Sequence, residues 1–260
     1  MFKYLLLLAT LLFLTEPAMA RRIVLLAPAA GDILLQLGLE DQVVGKTKSL
    51  EEFPQALKVG SHIKPNVELI KGLEPDLLII SSNRFFSEQM SETVGAETIV
   101  YNPNTLAEIL EQIGHLAQLT GRETAGAKLS QRLRQQLQGL QQPAKKTRVI
   151  YEISDLPLSV AGQGNIISDI IRTAGGEPVD FGNGKIIKLN SEAIIVSRPE
   201  LYIYQIGPMN QNPTAPEERG DYRLLQARAL KVNQLDWSRA NSQSFARVVE
   251  LNQILVRSEE

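Results

Sequence analysis

The chain has 260 residues, which is enough for one large domain or two of medium size with a substantial hydrophobic core. Its 27 Lys and Arg residues against 29 Asp and Glu leave a formal net charge of -2, so there is no electrostatic reason to expect nucleic acid binding. The absence of cysteine excludes disulfides, thiolate metal sites and a cysteine nucleophile.

The first twenty residues have the three parts of an export signal. Lys3 supplies a positive charge, an apolar run follows from Tyr4 to Leu14, and Ala18-Met19-Ala20 is a small-x-small cleavage sequence. The run is shorter than the about 20 residues that a membrane-spanning helix needs. We therefore expect residues 1–20 to be a signal peptide cleaved before Arg21. Since there is no cysteine to carry a lipid, we expect a mature protein free in the periplasm.

The next part of the chain predicts alternating strands and helices. Its strands lack polar alternation, which is typical of a parallel sheet covered by helices on both faces. Asp32 is predicted to begin the first helix and Gly38 to end it. We assign residues 21–104 to this N-terminal α/β lobe. Its predicted strands are residues 22–27, 42–46, the apolar end of the 65–80 stretch, and 97–101.

Residues 105–141 keep a helical spacing of apolar residues to about Leu140 and contain no proline. Gly121-Arg122 interrupts the spacing, so the stretch forms either two helices or one bent helix. We expect it to connect two lobes rigidly and to allow only small lobe motions. After Pro143 the pattern of the first lobe begins again, and we assign residues 142–260 to a C-terminal α/β lobe.

One stretch of the first lobe is repeated in the second. Pro65 to Ile80 and Leu189 to Tyr204 each predict a short helix that stops at a proline and is followed by an apolar strand. The matched positions lie at a constant offset of 124 residues. They are Asn66 with Asn190, Glu68 with Glu192, Ile70 with Ile194, Pro75 with Pro199, Leu77 with Leu201, and Ile79 with Ile203.

These motifs, in this order, resemble the periplasmic substrate-binding proteins of ABC importers. The likeness is to the class with lobes bridged by one long helix, which receives cobalamin, haem and ferric siderophores. It is carried by Arg22-Ile-Val-Leu-Leu-Ala-Pro, by Val59-Gly60 with Pro65-Asn66-Val67-Glu68 and Leu73-Glu74-Pro75-Asp76-Leu77, by Pro157-Leu158 to Gly162, and by Ile166 to Glu177. The resemblance implies an α/β protein of two lobes with parallel sheets joined by a long rigid helix, the class III periplasmic binding protein fold.

The resemblance also implies a function. Such a protein captures a metal chelate (an iron-siderophore, haem or cobalamin) between its lobes and delivers it to the permease in the inner membrane. It is not an enzyme and needs no cofactor of its own, and we expect a monomer. Glu68 and Glu192 match the glutamates that pair with permease Arg residues, and two separated ion pairs would fix the orientation of docking. The alternative is that both carboxylates only stabilise helix N-termini.

Candidate ligand-binding residues follow from the rule that ligands bind beyond the carboxyl ends of parallel strands. Arg84 and Arg219 suit anionic groups, while Phe85 and Trp237 suit the face of a macrocycle or catechol. Each of them could equally be a loop residue that faces water. The full set is Lys48, Ser82, Asn83, Arg84, Phe85, Tyr151, Tyr204, Gln205, Arg219 and Trp237.

Three other interpretations stay open. His62 is a weak candidate for direct metal ligation, because a lone histidine in a polar loop is usually only solvated. An oxyanion such as molybdate could be bound by Ser81, Ser82 and the amides of residues 29–31. A periplasmic cleft hydrolase could use paired carboxylates, but the chain has no G-x-S-x-G motif and only two histidines.

Overall fold

The computed structural model of the chain describes residues 21–222 and 224–257, so the predicted signal peptide lies outside the described residues. Within these ranges no helix combines the length and the apolar character needed to cross a membrane. The strands are β1 (Ile23–Leu25), β2 (Val43–Lys46), β3 (Leu57–Lys58), β4 (Gly60–Ser61), β5 (Lys64–Pro65), β6 (Leu77–Ile80), β7 (Glu97–Val100), β8 (Arg148–Asp155), β9 (Leu158–Ala161), β10 (Glu177–Pro178), β11 (Ile186–Lys188), β12 (Leu201–Ile206) and β13 (Arg228–Asn233).

Helices of very different length connect these strands. The helices are α1 (Ala30–Gln36), α2 (Val67–Gly72), α3 (Glu88–Val94), α4 (Leu106–Leu119), α5 (Glu123–Gln136), α6 (Ile166–Thr173), α7 (Ser191–Ser197), α8 (Gln234–Trp237) and α9 (Gln243–Arg257). Short 3₁₀ turns cover Glu40–Gln42, Pro216–Glu218 and Gly220–Tyr222.

The N-terminal sheet has the strand order β3-β2-β1-β6-β7, and every neighbouring pair in it is parallel. This confirms the predicted parallel sheet and its four main strands.

The first helix begins at Ala30, before the predicted Asp32, and has no side-chain cap. Asp32 is instead used at long range, because its carboxylate accepts a hydrogen bond from the Ser242 amide at 3.1 Å.

The C-terminal sheet has the order β11-β9-β8-β12-β13, with β10 paired to β8. Strands β8, β10, β12 and β13 run parallel to one another, in agreement with the parallel sheet expected for this lobe, although β10 and β13 had not been predicted as strands. At one edge the sheet continues with β9 and β11, which run antiparallel to their neighbours and were not predicted. Only Leu156 and Pro157 separate β8 from β9, and so short a connection permits only an antiparallel hairpin.

The sequence repeat corresponds to two equivalent helix-strand units. Asn66 caps α2 by accepting a hydrogen bond from the Leu69 amide at 3.1 Å, and Asn190 caps α7 through the Ala193 amide at the same distance. The strand that follows each helix lies parallel to the first long strand of its lobe, β6 beside β1 and β12 beside β8. The repeat therefore sets the central strand pair of both sheets.

The connection between the lobes contains two helices rather than one long helix. Thr120 ends α4, with its hydroxyl donating to the Leu116 carbonyl at 2.7 Å, and Gly121 then takes a left-handed backbone with φ of 64°. The chain reverses, and α5 packs against α4 at Gly126, where a Cβ would lie 2.5 Å from that of Ala117. The interruption expected at Gly121-Arg122 thus separates two helices, and the chain reversal there makes them a helical hairpin in place of the one long helix that the resemblance implied.

One hydrophobic core runs through both lobes and through this hairpin. Two smaller clusters cover the other face of each sheet, one in each lobe. The shared core joins Ile23, Ile33 and Leu77 of the N-terminal lobe to Ile109, Ile113 and Leu129 of the hairpin and to Ile167, Phe245 and Leu251 of the C-terminal lobe. The helical hairpin is thus packed into the body of the protein.

Two helical glycines make a matched test of the hairpin packing. Gly126→Ala should lower the free energy of unfolding by about 1–3 kcal/mol, because the added methyl overpacks the contact with Ala117. Gly114→Ala, in α4 with open space around it, should raise the free energy of unfolding by about 0.5–1 kcal/mol through helix propensity. Urea unfolding followed by circular dichroism measures both, and equal effects of the same sign would contradict the packing.

Candidate ligand-binding cleft

A cavity of about 150 Å³ lies between the two lobes. On the N-terminal side its walls are the segments that directly follow β1, β6 and β7. The C-terminal lobe contributes the start of α6, a residue before β11 and two residues after α8. The lining residues are Ala27, Pro28, Ala29, Ser81, Tyr101, Asn102, Pro103, Asn165, Ile166, Lys185, Ser238 and Ala240. In the N-terminal lobe the cavity therefore occupies the carboxyl edge of the parallel sheet, where ligands of such sheets bind.

Hydrogen bonds cross the cleft from one lobe to the other. The Tyr101 hydroxyl donates to the Ala240 carbonyl at 2.9 Å, and the Lys185 amine donates to the Asn102 side-chain oxygen at 2.6 Å. Burial raises the pKa of Tyr101, with Asp32 adding to the effect, so this phenol stays a neutral donor. The Asn165 amide group holds the backbone carbonyl of Lys185 at 2.9 Å. These bonds fix the polar groups that face the cavity.

Three of the predicted ligand residues are buried behind this cavity. Tyr151, Gln205 and Trp237 are 2%, 0% and 2% exposed. The Tyr151 hydroxyl donates to the Gln205 side-chain oxygen at 2.9 Å, and its ring stacks on Trp237 with centroids 6.3 Å apart. The same Gln205 oxygen accepts a hydrogen bond from the Ser238 hydroxyl at 2.7 Å. In this conformation the three residues position Ser238 at the cavity wall and do not themselves line the cavity.

The predicted residues of the N-terminal lobe that follow β6 form a partly exposed group. The Arg84 guanidinium lies 5.6 Å from the centroid of the Phe85 ring, which meets the His62 ring edge-on at 6.4 Å. The hydroxyl of Ser82 shapes the loop by accepting a hydrogen bond from the Arg84 amide at 3.1 Å. We call His62, Arg84 and Phe85 the cation-aromatic group. It offers a flat ring and a positive charge to a partner.

Three other candidates, His62, Lys48 and Asn83, are weak candidates for direct binding of a ligand or metal. Burial lowers the pKa of His62, so the imidazole is neutral near pH 7, and its Nδ1 has no hydrogen-bond partner in the described ranges. Across the described ranges no three His, Asp or Glu residues come together as a possible metal site. Lys48 is exposed, and Asn83 lines a shallow groove beside α3 that takes no residue from the C-terminal lobe.

Arg219 lies at a second cavity, of about 430 Å³, in the C-terminal lobe between the β8–β9 hairpin and the start of α7. Its guanidinium bonds both oxygens of the fully buried Glu152 carboxylate, at 2.5 and 2.8 Å. The Tyr202 hydroxyl donates to the same carboxylate at 2.5 Å. The positive charge is therefore neutralised internally, and the ion pair links the segment after β12 to β8.

Tyr204 is 7% exposed, and burial raises its pKa.

Glu68 and Glu192 occupy equivalent positions in the two lobes. Each lies in the first turn of its short helix, two residues after the capping asparagine, and each is exposed. Neither carboxylate has an ion-pair partner among residues 21–222 and 224–257. The two charges are thus available to an external partner.

Comparison with known proteins identifies the family. The family model for periplasmic binding proteins matches residues 23–226. The chain belongs to the periplasmic binding protein family. It is 30% identical over 196 residues to the vitamin B12-binding protein of Vibrio vulnificus, and this covers 71% of each chain. Family members are binding proteins for ABC importers, and the two-lobe architecture agrees with that role.

Solved structures share the fold of this family member. The periplasmic vitamin B12-binding protein BtuF of Vibrio cholerae superposes with a TM-score of 0.74 at 21% identity, covering 92% of this chain and 98% of that one. The periplasmic heme-binding protein HutB of Vibrio cholerae gives a TM-score of 0.75 at 20% identity, covering 91% and 99%. These likenesses establish the class III fold that the sequence predicted.

None of the twelve residues that line the cavity belongs to the predicted ligand set, and Ser81 had been named only for the oxyanion alternative. The polar lining residues that the prediction missed include Asn102, Lys185 and Ser238. Ser81 and Asn102 had a usable signal, because each directly follows the end of a predicted strand. Lys185 and Ser238 had none, because they reach the cleft through β11 and α8, two elements that the apolar pattern did not predict.

The buried ion pair beside the second cavity predicts a large effect on stability. Arg219→Met should lower the free energy of unfolding by about 3–5 kcal/mol, because it leaves Glu152 charged and unpaired in the core. Arg172→Met is the control: its pair with Asp169 has side chains that are 44% and 22% exposed, so solvent screens it and removal should cost about 1 kcal/mol or less. Denaturant unfolding measures the free energy of unfolding of both variants. Similar losses of stability in the two would contradict the assigned role of Arg219.

Proposed function

We propose that the mature protein is the periplasmic receptor of an ABC importer and that it captures a metal chelate (an iron-siderophore, haem or cobalamin) between its lobes. The observation that carries the proposal is the cleft at the carboxyl edge of the N-terminal sheet, closed by residues of the second lobe, in a member of this family. The vitamin B12-binding relative and the heme- and B12-binding structures support this class of ligand.

The protein is a receptor and not an enzyme in this proposal. The lining of the interlobe cavity, drawn from the described residues, contains no carboxylate and no histidine. A hydrolase needs a general base or paired carboxylates at the bond that it cleaves. The proposal includes cleavage of residues 1–20 and a monomeric mature protein free of lipid. The sequence motif Ala18-Met19-Ala20 supports the cleavage, and the absence of cysteine supports a mature protein free of lipid.

The size of the cavity bears on how a chelate binds. At about 150 Å³ the cavity is smaller than the about 300–1,000 Å³ of pockets that enclose drug-sized ligands. A macrocycle or siderophore therefore lies at the mouth of the cleft, and only a projecting group enters the cavity. The cation-aromatic group of the N-terminal lobe, which combines Arg84 and Phe85 of the loop after β6 with His62 of the turn between β4 and β5, offers a surface for the ring.

A binding titration tests the receptor proposal. The mature protein should bind one member of a panel of haemin, cobalamin and ferric siderophores at one-to-one stoichiometry, with a saturable change in the ligand spectrum. Phe85→Ala should weaken that binding about tenfold through loss of ring contact, which corresponds to about 1.4 kcal/mol. Absence of binding to the whole panel by folded protein, or turnover of the ligand, would refute the proposal.

We also propose that Glu68 and Glu192 dock the receptor on arginines of the permease. Their equal placement on the two lobes and their free carboxylates support a two-point contact. Charge-assisted bonds at two separated points would set both orientation and specificity of docking.

Charge reversal tests the docking sites. The double variant Glu68→Arg, Glu192→Arg should abolish uptake of the ligand in cells, while its affinity for the ligand in solution stays within about twofold of wild type, because neither residue lines the cleft. The matched control is Glu111→Arg, Glu123→Arg, which makes the same change of charge at exposed sites on the connecting hairpin. Normal uptake by the first double variant, or equal loss in both, would contradict the assignment.

A further inference from the structure

We infer that the interlobe cavity recognises an anionic arm of the chelate, a carboxylate or phosphate, through the amine of Lys185. The inference rests on the proposed function and narrows its ligand class to chelates that carry such an arm. Lys185 becomes the specificity-determining residue of the cleft.

The only ionised group that the described residues give the cavity lining is positive. Lys185 is the single ionised side chain among the lining residues, which all belong to the described ranges. Its amine donates to the side-chain oxygen of Asn102, a neutral acceptor, at 2.6 Å. No carboxylate of the described ranges lies within ion-pair distance of this amine. The positive charge is therefore left without a neutralising contact at the cavity.

The surroundings of Lys185 favour an incoming negative charge. Burial lowers the pKa of its amine, and the Glu108 carboxylate raises it. Glu108 already accepts a hydrogen bond from the Asn104 amide at 2.7 Å, so part of its hydrogen-bonding capacity is used. An anion beside Lys185 would offset the cost of desolvating the ammonium group.

The Ser81 hydroxyl adds a second hydrogen-bond donor for such an arm, in a wall that Ser238 helps to form. Ser238 is held at the wall by Gln205, and Gln205 is itself fixed by its amide bond to the Ile153 carbonyl at 2.8 Å. The Ser81 hydroxyl faces the cavity from the N-terminal lobe and has no intramolecular partner within the described residues. A carboxylate or phosphate can accept from Lys185 and from Ser81, since the Ser238 hydroxyl already donates its hydrogen to Gln205, and the volume excludes a ring.

The larger cavity of the C-terminal lobe is the competing anion site, and its chemistry argues against it. Arg219, the only cation among the described residues that line it, is bonded to both oxygens of Glu152. Two further carboxylates, Asp155 and Asp221, line that cavity. The lining there would repel an anion, so the interlobe cavity is preferred.

The test compares ligands that differ in the anionic arm. The pairs are haemin with its dimethyl ester, cobalamin with cobinamide that lacks the nucleotide phosphate, and a ferric siderophore that carries a free carboxylate with its methyl ester. Wild type should prefer the anionic member of the pair that it binds. Lys185→Met should weaken binding of that member about tenfold or more and leave the neutral member unchanged, and Lys185→Arg should restore the preference.

Lys188→Met is the matched control, because it removes the same charge three residues away, outside the cavity lining. It should bind both members as wild type does. If wild type binds an anionic probe but Lys185→Met binds it equally well, the inference fails and the receptor proposal stands. An equal loss for both members also overturns the inference, because Lys185 would then act only as a contact between lobes. No binding of any probe by folded wild type overturns the receptor proposal itself.

Discussion

A single hydrophobic core joins the two lobes, and the rest of the structure depends on it. The core passes from the N-terminal sheet through α4 and α5 to α6 and α9 of the C-terminal lobe. The close contact of Gly126 with Ala117 lets the two connecting helices lie side by side within that core. Separation of the lobes would expose apolar surface at a cost of about 25 cal/mol per Å². This cost favours small adjustments of the cleft over wide hinge opening.

The same arrangement determines where polar chemistry can occur. The core faces of both sheets are apolar, so polar side chains that converge between the lobes do so where strands and their connections end. There the lobes meet through Tyr101 with Ala240, Asp32 with the Ser242 amide, and Lys185 with Asn102. Buried layers behind the wall, such as Tyr151 with Gln205, hold Ser238 in place. The cleft is therefore preorganised by groups that no ligand needs to touch.

The sequence predicted the fold better than the site. Periodicity and breakers were sufficient for the strands of the N-terminal lobe and for the repeated unit, because these signals are local. The one helix start that was predicted from a capping residue, Asp32, was wrong, and Asn66 and Asn190, which do cap their helices, had been noted only as matched positions of the repeat. The local signals located the interruption at Gly121 but not the chain reversal there, and they missed the antiparallel strands β9 and β11.

Side-chain direction explains the site residues that were predicted less well. Tyr151, Gln205 and Trp237 belong to elements near the cleft, as expected, but their side chains point into the core and bond to one another. Arg219 looked like a free cation in sequence, and its partner Glu152 lies 67 residues away. Lys185 and Ser238 reach the cavity through long-range packing. No local pattern encodes such pairings.

The arrangement of the cleft requires that one ligand contact both lobes at the interlobe cavity. Amide hydrogen exchange, measured with and without the chelate that binds, tests this most directly. With the ligand bound, we expect slower amide hydrogen exchange at residues 81 and 101–102 of the N-terminal lobe together with residues 165–166, 185 and 238–240 of the C-terminal lobe. Protection confined to one lobe, or centred on the cavity beside Arg219, would contradict it.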